Sequence, residues 1–82
     1  MTTNREEYYD KITIVINSAQ NTIFLSKPIN LKEFSFFSEE VDGFVGTAED
    51  LREVLNRFSD YNVAIVSTTE MRQLLRSWGL RK

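Results

Sequence analysis

Isoleucines recur at every second position in KITIVIN, residues 11–17, so that Ile12, Ile14 and Ile16 share one face of an extended chain. β-Branched residues favour the pleated backbone, and this run predicts a strand. The polar SAQN, 18–21, reads as a turn, after which TIFLSKP, 22–28, places Ile23 and Leu25 on one face and Phe24 on the other. Together the two runs predict a β-hairpin. Pro28 donates no ladder bond, so the second strand ends there or lies at an edge. In EFSFFSEE, 33–40, Phe34 and Phe36 are in phase and Phe37 is out of phase, which predicts a third strand. VDG then supplies a turn before FVG, with room for a short fourth strand.

At Thr47 the period changes from two to that of a helix. In TAEDLREVLNRF, Leu51, Val54, Leu55 and Phe58 stand at i, i+3, i+4 and i+7. Thr47 is a fitting N-cap, and Glu49 and Asp50 sit at the positive end of the helix dipole. SDYN ends that helix, VAIVS reads as a short strand of the buried type, and Ser67, Thr68 or Thr69 caps a second helix. There Met71, Leu74, Leu75 and Trp78 repeat the spacing, and Gly79 occupies the C-terminal cap position. TNREEYYD could add one N-terminal helical turn, capped at Thr3 with Glu6 three residues on.

The order β-β-β-α-β-α predicts a single α+β domain over residues 1–82. It is expected as two layers, a mostly antiparallel sheet of three to four strands with both helices on one face. If Ile12, Ile14, Ile16, Ile23, Leu25, Phe34 and Phe36 face the helices, alternation turns Val15, Phe24 and Phe37 away from them. An outer apolar face rimmed by Thr13, Thr22, Ser26 and Ser35 suits a protein interface, with Phe24 and Phe37 as anchors. The alternative is that the N-terminal segment folds over this face, with Tyr8 and Tyr9 covering it.

Composition narrows the chemistry. Eighty-two residues, 41% hydrophobic and 27% charged, fit one ordinary folded domain with a modest core. There is no Cys and no His, which removes thiolate chemistry, the commonest general base and the usual transition-metal ligands. Carboxylates, lysines, tyrosines and hydroxyls remain, and they catalyse only when held in a cleft, so no enzyme, cofactor or metal site is expected. DGFVGT, 42–47, runs into a helix N-terminus, but Asp42, Glu49 and Asp50 around it oppose a phosphate, and the acids lack the alternating spacing of an EF-hand loop. No apolar run approaches a membrane span, and MTTNREEYYDK is acidic where a signal peptide would be basic and then apolar. A cytoplasmic location is expected.

The net charge of −2 hides a segregated distribution. Residues 33–60 carry eight acids against Arg52 and Arg57, a net −6, while 71–82 carry Arg72, Arg76, Arg81 and Lys82 and no acid, a net +4. Such asymmetry steers encounters with a charged partner. Arg72 and Arg76 are i, i+4 neighbours beside Gln73 on the last helix, and Arg76, Arg81 and Lys82 also complement the dipole at its C-terminus. The stretch has the rhythm of a DNA-recognition helix. A helix-turn-helix, however, joins its helices by three or four residues, and here nine, SDYNVAIVS, intervene. The expected partner is therefore an acidic surface of a larger protein, met by Arg72, Gln73, Arg76, Arg81, Lys82, Phe24 and Phe37. The rival is a DNA-binding regulator using the C-terminal helix. A monomer or weak dimer is expected.

In size, acidity and lack of catalytic motif the whole chain resembles the small host-takeover proteins of bacteriophages, some of which inhibit bacterial RNA polymerase and others CRISPR or restriction systems. The likeness lies in general character and transfers no individual residue. It implies a non-enzymatic inhibitor or modulator acting in the host-cell cytoplasm.

Overall fold

The computed structural model describes residues 11–34 and 39–79. The elements are β1 (Ile12–Asn17), β2 (Thr22–Ser26), a 3-10 turn (Leu31–Glu33), β3 (Val41–Gly46), α1 (Ala48–Arg57), β4 (Asn62–Ile65) and α2 (Thr68–Ser77). The four strands form one sheet in the order β3-β1-β2-β4. β1 runs antiparallel to β2, with Val15 opposite Phe24, and antiparallel to β3, with Val15 opposite Gly43. β4 joins the far side of β2 in parallel, with Phe24 opposite Ala64 and Leu25 opposite Ile65. The fold is α+β, as the order of periodicities predicts.

The hairpin forms where it was expected. Asn17 Oδ1 accepts from the Gln20 N–H at 3.1 Å, and Asn21 takes a left-handed φ of 53°, a conformation asparagine tolerates better than most residues. Both helix starts are capped. The Thr47 hydroxyl accepts from the Asp50 N–H at 3.2 Å while the Asp50 carboxylate accepts from the Thr47 N–H at 2.9 Å, a reciprocal capping box. Ser67 caps α2 by accepting from the Glu70 N–H at 3.1 Å, and Gly79 closes it with φ +78°.

Three expectations are corrected. The helices do not share a face of the sheet. Ile14, Ile16, Ile23 and Leu25 pack with Val54 and with Leu51, Leu55 and Phe58 of the α1 segment. Val15 and Phe24, on the opposite side by alternation, pack with Met71 and Leu75 of α2. The molecule thus has three layers, helix, sheet and helix, because β1 and β2 are apolar on both faces. Second, VDG does not form a turn: Asp42 and Gly43 lie within the strand Val41–Gly46 together with the FVG expected as a short strand, while residues 35–38 of the expected third strand lie outside the described residues. Phe34 stands outside any strand and packs beside Val15 on the α2 face, away from the isoleucines. Third, β4 is an edge and not a buried strand, with exposed or half-buried residues throughout. Phe36 and the N-terminal turn at Thr3 to Glu6 lie outside the described residues.

A buried hydroxyl explains how the chain leaves the hairpin. Thr13, fully buried in β1, donates from Oγ1 to the Lys27 carbonyl at 3.2 Å and accepts from the Ile29 N–H at 3.0 Å. This clamp turns 27–29 across the α2 face, where Ile29, Leu31 and Phe34 fill the space over β1 and β3 that α2 does not reach.

Candidate functional site

Phe24 is not an outward anchor. Its side chain is only 9% exposed and its ring lies 5.3 Å from that of Trp78, tilted by 55°, a favourable aromatic contact in the core. α2 covers the face on which it was expected to stand bare. Two of the polar residues expected to rim that face, Thr13 and Ser26, are buried as well. Phe37, Arg81 and Lys82, like Ser35, Tyr8 and Tyr9, lie outside the described residues. The structure does bring Arg72, Gln73 and Arg76 together on α2. Met71 and Leu75 are fully buried beneath that helix, which leaves Gln73 and Arg76 exposed and Arg72 half-buried. Phe24 belongs to the layer under them and cannot share a contact surface with them.

The open apolar surface is at β4. A ten-residue helix with side chains is about 10 Å wide, and strands are spaced about 4.8 Å apart, so one helix covers about two strands. On the α2 face, α2 and the 29–34 segment pack over Val15, Phe24, Val41 and Ala64, one from each strand, and leave Val45 of β3 exposed. Among the described residues α1 is the one helix on the α1 face, and it lies over β1 and β3. Phe58 and Tyr61, with ring centroids 4.9 Å apart, shield the start of β4, and no other described segment packs beyond them. Val63 is consequently 48% exposed and Ile65 82% exposed.

An open groove of about 670 Å³ adjoins Ile65. Its apolar lining comes from Ile12 of β1, Leu25 of β2, Leu51 of α1, Ile65 itself and Val66. Lys11 and Lys27, both exposed, stand at it together with Ser67 and Thr68 at the start of α2, and among the described residues no acid lines it. The acids gather elsewhere: Asp42, Asp50 and Glu53 line a second cleft, with Arg57, between β3 and α1. There Asp50 is already engaged in the capping box.

The backbone of β4 is open on the same side. In a parallel ladder alternate residues direct N–H and C=O to one neighbour. Asn62 donates to the Asn21 carbonyl at 2.9 Å and Val66 to that of Leu25 at 2.8 Å, so 62, 64 and 66 face β2, while Val63 and Ile65 turn their N–H and C=O outward. No strand pairs beyond them among the described residues. Sheet edges are commonly blunted by charge, proline or a bulge. β3 carries Asp42 on its strand and the Leu31–Glu33 turn packs against it. β4, Asn-Val-Ala-Ile, has neither charge nor proline. The uncharged run VAIVS, 63–67, is the sequence signal for this edge, and it reads as a buried strand because burial and an undefended edge give the same composition.

Among the described residues no group of three or more acidic side chains is placed to hold a metal ion, and no helix is long and apolar enough to cross a membrane. Comparison of the chain with family models, with curated proteins and with solved structures returns no match.

Proposed function

We propose that this chain is a small non-enzymatic protein-binding module that acts by occupying a surface of a larger protein. The observation that carries the reading is the coincidence, at Val63 and Ile65, of outward backbone hydrogen-bonding groups with exposed apolar side chains. Fully burying a side chain of this size is worth about 1.5–3 kcal/mol, and most of Ile65 is available for it. Lys11 and Lys27 stand at the groove, Arg72 and Arg76 lie on α2 across the sheet, and these cations favour an acidic partner through steering and orientation. α1 and α2 lie on opposite faces of the sheet with β4 between them in sequence, an arrangement unlike a helix-turn-helix. The likeness to phage host-takeover proteins makes bacterial RNA polymerase the first target to test, with inhibition or modulation as the outcome.

The experiment is parallel capture from a bacterial lysate with wild-type and Ile65→Ser baits, followed by mass spectrometry. A large protein retained in near-stoichiometric amount by wild type and depleted with Ile65→Ser is the expected result. Wild-type bait that retains nothing above a mock bait would overturn the reading.

A further inference from the structure

We propose that β4 is extended by a strand from the partner, and that this strand is an acidic segment in which apolar and carboxylate side chains alternate. The inference rests on the protein-binding reading and specifies the chemistry of the partner. Its first support is the backbone. Val63 and Ile65 together offer two N–H and two C=O groups along an open edge, and an extended peptide can satisfy all four at the normal inter-strand spacing. A helix docked on the same edge already satisfies its own backbone and would leave them facing an apolar surface.

The side chains supply the second. Val63 and Ile65 project to the α1 face, beside a groove whose apolar lining includes Ile12, Leu25 and Leu51. A strand laid along β4 places every second side chain over that face, so apolar residues at period two fit it. Charge is the third. Among the described residues the cations at the groove, Lys11 and Lys27, are accompanied by no carboxylate in its lining, and the positive end of α2 opens beside them at Ser67 and Thr68. Asp42 of β3 and Asp50 and Glu53 of α1 line the separate cleft beside β3. A second copy of this chain fits less well, because a two-fold pairing of β4 with itself brings like-charged grooves together.

The test titrates 15N-labelled protein with an acetylated, amidated heptapeptide alternating valine with glutamate, in parallel with the same peptide carrying lysine for glutamate. Expected are amide shift changes concentrated at Val63, Ile65 and the adjoining Lys11 and Lys27, slowed exchange of the Val63 and Ile65 amides, and at least about tenfold weaker binding of the lysine peptide. Ile65→Ser and the double change Lys11→Glu with Lys27→Glu should each weaken the glutamate peptide by about tenfold, without altering the spectrum of the core. Val63→Pro removes one outward N–H and should weaken it while Ile65 remains. Shifts confined to α2, equal binding of both peptides, no binding, or concentration-dependent pairing of the free protein through β4 would each overturn strand addition. If lysate capture survives Ile65→Ser and Val63→Pro, the protein-binding reading stands and the strand-addition proposal alone falls.

Discussion

Phe24 shows how a single residue can be assigned correctly to a face and wrongly to an environment. Alternation places it opposite Ile23 and Leu25, and it is there, but that face is roofed by α2 and Trp78. The clue lies in β1, where Ile14, Val15 and Ile16 form a continuous apolar run, and a strand apolar at consecutive positions is buried on both sides. Phe24→Ser should therefore destabilise the fold by about 3–5 kcal/mol, as truncation of a buried aromatic does, which chemical denaturation will read. A second residue-scale prediction concerns Gly46. A Cβ at this position would lie 2.7 Å from the Asp50 carboxylate and 2.8 Å from the Phe44 ring, and Asp50 cannot retreat without opening the capping box at Thr47. Gly46→Ala should cost about 1–2 kcal/mol, close to the loss of the cap. Thr47→Ala combined with Gly46→Ala should cost less than the two changes summed, because both act on one contact.

Helices were the most legible elements. The i, i+3, i+4, i+7 spacing identifies the helices Ala48–Arg57 and Thr68–Ser77, Thr47 and Gly79 mark two of their ends, and of the three cap candidates Ser67, Thr68 and Thr69 the structure selects Ser67. Depth along each apolar stripe was not legible, since it depends on where the helix axis crosses the sheet. Met71 and Leu75 are fully buried, while Leu74, one position away, is half-buried at the border of the stripe. Leu75→Ala should accordingly cost about 2–5 kcal/mol and Leu74→Ala distinctly less, measured as paired denaturant midpoints at equal slope. Equal losses would place the helix in a different rotation. The strand between hairpin and α1 takes in the FVG expected as a short fourth strand, but it begins earlier, at Val41. Pairing with β1 carries Asp42 and Gly43 into it despite their turn propensity, and there Phe44 joins the α1-side core and Val41 the other.

At the scale of the whole molecule, the proposed function rests on an imbalance of cover. Among the described residues, two helices and one irregular segment cover two faces of four strands, and the shortfall falls on the α1 side of β4. The sequence announces the charge asymmetry and the two helices, but not which strand is left at the edge, because strand order is set by a non-local crossover through α1. The arginines of α2 remain on an outer surface, with the sheet behind them. Duplex DNA should not be retained at about 0.15 M salt by wild type or by Arg72→Glu with Arg76→Glu, since specific duplex binding rests on several phosphate contacts. Retention by wild type that is abolished by the double reversal would favour the DNA-binding reading.

The docking edge itself is tested most directly by site-specific photocrosslinking. A benzoylphenylalanine placed at position 65, which is 82% exposed, should form a covalent adduct with the captured partner on irradiation, and the adduct should map to an extended segment bearing carboxylates. The same probe at position 76, on the exposed side of α2, serves as the comparison. Crosslinking at 65 in good yield, with or without a weaker product at 76, is what an open β4 edge predicts. Crosslinking at 76 with none at 65, in a partner complex shown to be intact, would contradict it.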